Sequence, residues 1–159
     1  MKKIVKSILF SISLFAAALA AKAQATPPTV LTSYYALKDA LVADNSTEAQ
    51  AKAKALLVAL NNIPADQQKN WKSYTDKLQF DSRHISETTS IDHQREHFTS
   101  LSKNMLESIK ALKLNTDPVY AQYCPMKKAT WLSDSADIKN PYYGKQMLTC
   151  GKVTETLNR

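Results

Sequence analysis

The sequence contains little glycine and little cysteine. Two glycines and two cysteines occur among 159 residues, and residues 29–114 contain no glycine and a single proline, Pro64. Because glycine and proline interrupt helices, this composition favours helices joined by short turns. The chain also lacks the glycine-rich loop that cradles phosphates and the glycine-flanked serine of hydrolases. No C-x-x-C pair is present, which argues against a structural zinc site and a thiol redox enzyme. We therefore predict that the protein is not an enzyme.

The first 23 residues have the three parts of a secretory signal peptide. Three lysines precede an apolar run over residues 8–21, and a small-x-small cleavage site ends at Ala23. The run is shorter than the stretch of about 20 residues that a membrane-spanning helix needs. No cysteine follows it where a lipid would attach. We predict a signal peptide at 1–23 and a mature chain, 24–159, that lies in the periplasm without membrane insertion or a lipid anchor.

Much of the positive charge belongs to this leader. Removal of its four lysines lowers Lys+Arg from 21 to 17 against 14 Asp+Glu, so the net charge falls from +7 to +3. Residues 24–118 then carry 11 basic and 11 acidic side chains, and residues 119–159 carry 6 and 3. Phosphate backbones are bound by dense basic faces, which the mature chain does not have. We therefore expect no nucleic-acid partner.

Four stretches between residues 30 and 112 have apolar side chains at helical spacing. The strongest pattern places Ile91, Phe98, Met105 and Leu112 seven residues apart. Asn45 with Glu48 forms a capping-box pattern before the second helix. The fold predicted for 24–159 is a single, mainly α domain: an antiparallel four-helix bundle followed by a small irregular or β-hairpin segment from about residue 118. Extended pieces are predicted at 119–123 and 147–153.

Two sulfur pairs lie in this C-terminal segment: Cys124 with Met126, and Met147 with Cys150. Thiolate and thioether sulfur are soft ligands that favour Cu(I) over Mg²⁺ or Ca²⁺. Lysines that neighbour both cysteines are expected to lower the thiol pKa and so favour metal binding. We predict a Cu(I) site with these four sulfur ligands, covered by four aromatic side chains: Tyr123, Trp131, Tyr142 and Tyr143.

The same two cysteines are also candidates for a disulfide. Two cysteines in an exported protein most often form a bridge. A bond from Cys124 to Cys150 would close a loop of about 27 residues, which contributes roughly 3.5 kcal/mol in the chain-entropy model. A disulfide and a thiolate metal site exclude each other at any moment, so a site controlled by oxidation is a further alternative.

Two histidines on the predicted fourth helix are candidates for an ancillary metal site. His93 and His97 are four residues apart, so their rings can meet on one helix face. A helical wheel places both at the edge of the apolar face or outside it, which equally suits a solvated pair. The order of residues between them differs from the zinc-protease motif, in which Glu directly follows the first His. We expect His84 to stand alone at the surface.

Several segments of the chain together resemble the signature of a known family. In the tail they are VYAQYCPM (119–126), WLS (131–133), IKNPYYG (138–144) and MLTCG (147–151), and in the helices residues 34–41 and 94–102. On these motifs the chain resembles the family known as domain of unknown function 3347. Its members are mainly exported proteins of Bacteroidota, and its activity is not established.

The resemblance implies a context in metal efflux, because members of this family are also fused to the periplasmic adaptor subunits of copper and silver pumps. Residues 123–126 further resemble the Tyr-x-Cys-Pro-Met core of small heavy-metal-binding domains. Lys127 and Lys128 stand where that motif has His and Pro. The departure leaves a first pair with sulfur ligands only, which suits Cu(I) better than Zn²⁺ or Cu²⁺.

These observations predict a periplasmic soft-metal binding protein, with Cu(I) as the ion, that is accessory to metal efflux or homeostasis. Its expected partner is the periplasmic adaptor of a heavy-metal efflux pump. The alternative is a non-enzymatic envelope interaction domain whose C-terminal segment is pinned by a Cys124–Cys150 disulfide.

Overall fold

The computed structural model describes residues 29–113 and 115–158. The predicted signal peptide, residues 1–23, lies outside the described residues. Four helices come first: α1 (Val30–Val42), α2 (Ser46–Asn61), α3 (Ala65–Ser86) and α4 (Ile91–Leu112). Three strands follow: β1 (Val119–Cys124), β2 (Ala129–Ser133) and β3 (Lys152–Leu157), with a short 3₁₀ helix at Gly144–Gln146. The predicted mainly α fold, a four-helix bundle with a small β segment after it, is confirmed.

Local side-chain chemistry sets where the first helices begin. The Thr29 hydroxyl accepts the N–H of Thr32 at 3.2 Å and caps α1. The Asn45 side chain accepts the N–H of Glu48 at 3.0 Å and caps α2, as the capping-box pattern predicts. Both caps satisfy backbone donors that a helix start leaves unpaired. No helix in the two described stretches is both long and apolar enough to cross a membrane.

The bundle core is built from the apolar stripes of the four helices. Tyr34 of α1 stacks on Phe98 of α4 with ring centroids 5.3 Å apart, and both rings are fully buried. Ala49 and Ala53 of α2 are also fully buried, so their small side chains allow close helix packing. Phe98 and Met105, two of the four residues at seven-residue spacing, lie in the centre of this core.

The C-terminal strands form one antiparallel sheet in the order β2-β1-β3. Strand β1 confirms the first predicted extended piece. The second piece, predicted at 147–153, begins later in the structure, because residues 147–151 turn back before β3 starts at Lys152. Strand β2 is additional to the predicted hairpin, and it places Trp131 and Leu132 in the core with no exposed surface. The sheet thus packs against the bundle, with β2 in contact with α4.

A polar junction fixes the tail to the turn between α1 and α2. Arg95 of α4 donates to the backbone oxygens of Leu41, at 3.0 Å, and Pro141, at 2.8 Å, and its guanidinium pairs with the Asp44 carboxylate at 2.5 Å. Asp44 also accepts the N–H of Lys145 at 3.0 Å. Gly144 lies against this pair with a φ of +53°, and a Cβ there would overlap the Asp44 carboxylate.

Candidate metal centre

The three histidines of the chain meet at one end of the α3–α4 hairpin. His84 lies two residues before the end of α3 at Ser86, and His93 lies two residues after the start of α4 at Ile91. In two antiparallel helices, residues at equal distances from the connecting turn lie at the same height along the helix axes. His84 and His93 therefore lie opposite each other. His97 follows one turn further along α4. One ring nitrogen from each histidine lies within 4.8 Å of the other two. The prediction that His84 stands alone is therefore wrong.

The three imidazole rings contact one another. His84 and His97 are stacked with centroids 4.5 Å apart and planes 4° from parallel. The ring of His93 meets that of His97 edge-on at 4.8 Å and that of His84 at 6.4 Å. The helical wheel predicts that His93 and His97 lie at the edge of the apolar face or outside it. Their burial agrees with this, since His93 is exposed and His97 is half-buried.

A buried carboxylate lies directly behind this cluster. Asp81 of α3 places Oδ1 3.1 Å from Nδ1 of His97, and the Asp81 side chain is 5% exposed. The exposure of the imidazoles rises away from it, from 19% for the His97 side chain to 44% for that of His93. The cluster is therefore buried on its Asp81 side and open to solvent on its His93 side.

An exposed aromatic ring borders the cluster. The ring of Phe80 lies 4.5 Å from that of His84 and 6.0 Å from that of His97, yet the residue is 58% exposed. Aromatic rings pack favourably against one another at centroid separations of about 4.5–7 Å. Here the ring of Phe80 shields one side of the imidazoles from water.

This arrangement has the donors of a transition-metal site. Neutral imidazole nitrogens bind Zn²⁺, copper and nickel well, whereas Mg²⁺ and Ca²⁺ prefer oxygen ligands. Zn–N distances of about 2.0–2.1 Å place ligand nitrogens about 3.4 Å apart in a tetrahedral site. The three nitrogens lie within 4.8 Å of one another, so they must approach more closely to bind one ion.

The predicted sulfur site lies elsewhere, where β1 ends. Cys124 is fully buried and Cys150 is half-buried, and both carry free thiols. The Asn140 side-chain amide joins them: its Nδ2 donates to Cys124 Sγ at 3.2 Å and to the backbone oxygen of Cys150 at 2.7 Å. The Lys127 N–H also donates to Cys124 Sγ, at 3.4 Å. The structure thus brings the two cysteines together.

The electrostatics at Cys150 differ from the expectation from neighbouring lysines. Burial raises the pKa of the Cys150 thiol, and the neighbouring Cys124 raises it further. A raised pKa lowers the fraction of thiolate, which is the form that binds metal. Neighbouring lysines therefore do not activate Cys150 in this structure.

The two methionines occupy different surroundings. Met126 lies in the turn between β1 and β2 and is 64% exposed. Met147 follows the 3₁₀ helix, is half-buried, and accepts the N–H of Cys150 on its backbone oxygen at 3.0 Å. The Met126 thioether faces water rather than an enclosed pocket. Of the four predicted sulfur ligands, the two cysteines therefore have the better-defined surroundings.

The four aromatic residues that are predicted to cover the sulfur site differ in burial. Trp131 and Tyr142 are core residues, with rings 6.0 Å apart and exposures of 0% and 4%. The Tyr142 hydroxyl donates to the backbone oxygen of Thr130 at 2.6 Å. Tyr123 and Tyr143 are half-buried. Trp131 also lies so close to Gly151, next to Cys150, that a Cβ there would be 2.8 Å from Cη2 of the indole.

Three residues of the histidine cluster escape sequence reasoning: His84, Asp81 and Phe80. All three are on α3. Their contacts with residues of α4 form only when the two helices pack against each other, so the sequence alone does not show them. The signal that could find them is the equal distance of His84 and His93 from that turn. Asp81 and His97 lie at nearly equal distances from the turn: Asp81 is five residues before the end of α3, and His97 is six residues after the start of α4.

Comparison with known proteins matches the helical part of the chain to a family. Residues 30–117 match the family described as "Protein of unknown function (DUF3347)". The match covers all four helices, with the three histidines and Asp81, and ends before β1 and both cysteines. The tail segments quoted above therefore lie beyond it. No curated protein and no solved structure matches the chain.

Proposed function

The chain belongs to this family, whose description names no activity, and we propose that the protein binds a transition-metal ion through His84, His93 and His97. The observation that carries the proposal is the convergence of the three imidazoles within 4.8 Å. Two helices supply the donors, so the site depends on the folded hairpin rather than on a local sequence run. The half-open setting suits an ion that is taken up and released.

The donor set favours particular ions. Affinity of nitrogen sites for divalent metals rises from Mn²⁺ through Ni²⁺ to Cu²⁺ and falls again at Zn²⁺. We therefore expect Cu²⁺ to bind most tightly, followed by Ni²⁺ and Zn²⁺, and Mg²⁺ not to compete. The proposed physiological ion is copper, in keeping with the resemblance to proteins associated with copper and silver efflux.

The wider role that we propose is that of a periplasmic carrier or buffer accessory to metal efflux. The leader-like residues 1–23 support the periplasm, and the resemblance supports the adaptor of a heavy-metal pump as the partner. An interaction domain pinned by a disulfide is the alternative, and protein that has no free thiols and binds no metal at its histidines would favour it.

A direct test is competition of metal-free protein, prepared without a polyhistidine tag, against a chromophoric chelator for Cu²⁺ and Zn²⁺. We expect one equivalent to bind, and His84→Ala, His93→Ala and His97→Ala each to weaken binding at least tenfold. Arg83→Ala is the matched control, since Arg83 is an exposed neighbour of His84 on the same helix. Equal binding by the three histidine variants and wild type would reject the site.

The thiol pair supports a second candidate function, Cu(I) binding at Cys124 and Cys150 with Met126 and Met147. The shared Asn140 amide, which brings the two cysteines together, favours it. Under reducing conditions the protein should compete with a Cu(I) chelator, and Cys124→Ser or Met147→Leu should weaken it. Binding that is unchanged in the Cys124→Ser/Cys150→Ser variant, but lost with the histidines, would assign all metal binding to the imidazoles.

A further inference from the structure

The Asp81 carboxylate has a defined partner at the histidine cluster. Its Oδ1 lies 3.1 Å from His97 Nδ1, and its side chain is almost fully buried. A buried carboxylate is costly unless a hydrogen-bond donor compensates for its lost hydration. A carboxylate can only accept hydrogen bonds, so the imidazole must supply the proton from Nδ1.

We infer that Asp81 is a positioning residue, which holds His97 with its proton on Nδ1 and so makes Nε2 the metal-binding atom. This inference rests on the proposed metal function and defines how the site is prepared for it. Metal-binding histidines commonly donate their other ring N–H to a carboxylate, which fixes the ring orientation and raises the basicity of the ligand nitrogen. Asp81 stands in that position relative to His97.

The other two histidines are held less firmly. The Nδ1 of His93 is 3.9 Å from the Glu96 carboxylate, which is beyond hydrogen-bond distance, and the Glu96 side chain is 78% exposed. Among the described residues, His84 has ring contacts with Phe80, His93 and His97 but no side-chain hydrogen bond. The buried carboxylate therefore distinguishes His97 from its two neighbours.

Ring stacking indicates which imidazole moves when a metal ion binds. The lone pair of an imidazole nitrogen lies in the plane of its ring. Since the rings of His84 and His97 are stacked and nearly parallel, one ion cannot lie in both planes. One ring has to turn, and Asp81 holds His97. His84 thus rotates about its side-chain bonds to complete the site, while His97 keeps its orientation.

Nitrogen NMR of the imidazoles in metal-free protein tests the inference. Spectra are recorded on the neutral form of each imidazole, in which one ring nitrogen carries the proton. We expect His97 to have its proton on Nδ1 in wild type and to lose this preference in Asp81→Ala. Zn²⁺ affinity should fall by about 10- to 100-fold in Asp81→Ala, as is typical when such a partner is removed.

Asp81→Asn is the second variant, because its amide oxygen can still accept the Nδ1 proton without the negative charge. We expect it to keep the tautomer and to lose less Zn²⁺ affinity than Asp81→Ala. It also provides the tautomer and affinity readouts if Asp81→Ala does not fold. A His97 proton on Nε2 in wild type, or an unchanged tautomer and affinity in a folded Asp81→Ala, would overturn the inference.

These outcomes are separable from failure of the proposed function. If wild-type protein binds neither Zn²⁺ nor Cu²⁺, the metal function fails, while the tautomer in metal-free protein still tests the role of Asp81. If metal binds and the tautomer does not depend on Asp81, only the positioning role fails.

Discussion

Tyr34 on α1 is hydrogen-bonded to the backbone of Leu132 on β2. The Leu132 N–H donates to the Tyr34 hydroxyl at 3.1 Å, and the same hydroxyl lies 2.7 Å from Ser102 Oγ on α4. Two helices and the sheet thus meet at one buried oxygen. Burial raises the Tyr34 pKa far above its ordinary value, so the hydroxyl stays protonated throughout the stable pH range.

Replacement of Tyr34 by Phe should destabilise the whole domain. The change leaves the Leu132 N–H and the Ser102 hydroxyl buried without their partner, which costs about 1–3 kcal/mol for a buried group. Urea unfolding followed by circular dichroism measures the loss. Tyr74→Phe is the matched control, because Tyr74 is only half-buried and packs at the edge of the core. Equal stability of the two variants would contradict this role of Tyr34.

Asp44 should make the protein sensitive to acid. The Lys145 N–H and the Arg95 side chain lower the pKa of its carboxyl below the ordinary value of 3.8. When the folded-state pKa of a carboxyl is lowered, its contribution to stability is fully present above the unfolded-state pKa. The contribution is lost as the pH falls through the folded-state pKa. Because Asp44 is exposed, we expect Asp44→Asn to cost only about 0.2–1 kcal/mol near neutral pH.

The measurement is urea unfolding of wild type and Asp44→Asn over a pH series. The difference in unfolding free energy should shrink below about pH 4, where Asp44 of wild type becomes protonated in the unfolded chain. Asp76→Asn is the control variant, because Asp76 is an exposed carboxylate of α3. A constant difference across the series would exclude Asp44 as its source.

The two thiols should differ in reactivity in the reduced, folded protein. Cys124 is fully buried, and the raised pKa of the half-buried Cys150 leaves little thiolate at neutral pH. We expect one slowly reacting thiol whose rate continues to rise above pH 9.0, the ordinary thiol value. Denaturant should expose a second equivalent. Cys150→Ser should remove the reactive thiol, and fast reaction of Cys124 in the folded protein would contradict the assignment.

Thiol counting on protein isolated without reductant addresses the disulfide alternative. Absence of free thiols before reduction favours a Cys124–Cys150 bridge, whereas two free thiols leave both cysteines available for the Cu(I) site and say nothing about the histidine site. Both thiols are free and not within disulfide distance of each other, so a bridge requires movement around Asn140, whose amide contacts Cys124 Sγ and the Cys150 backbone oxygen.

Metal ions should stabilise the fold through the α3–α4 hairpin. An ion that binds only the folded state adds about 2.7 kcal/mol when its free concentration is about 100 times Kd. Thermal unfolding with Zn²⁺ should therefore occur at higher temperature, and a chelator should reverse the shift. His84→Ala should abolish the gain, and Mg²⁺ should produce none. A Zn²⁺ shift that persists in His84→Ala would place the ion elsewhere.

The helical part of the fold follows from local pattern. Phe98 and Met105 repeat at a spacing that keeps them on one face of α4, and both are fully buried. Asn45 caps α2 through a contact that spans three residues. Such short-range signals survive without knowledge of the partners, which is why the four helices were predictable.

The tail and the histidine centre depend on contacts between distant residues. Strand β2 is buried at four of its five positions, so it lacks the alternation that identifies a strand. His84 and His97 stack across 13 residues of chain, and their contact depends on the angle at which α3 and α4 pack. The cysteine pair was predictable as a candidate, but the pKa of Cys150 depends on burial that the sequence does not display.

Position 144 has consequences for any mutational scan of this domain. Any side chain at position 144 would strain the left-handed backbone and would also disrupt the Asp44–Arg95 ion pair. A saturation library should therefore retain glycine alone. The adjacent Lys145 side chain is exposed and contributes its backbone N–H to Asp44. Position 145 should therefore accept most replacements except proline, and the contrast between two neighbouring positions would serve as an internal standard for the tail–bundle junction.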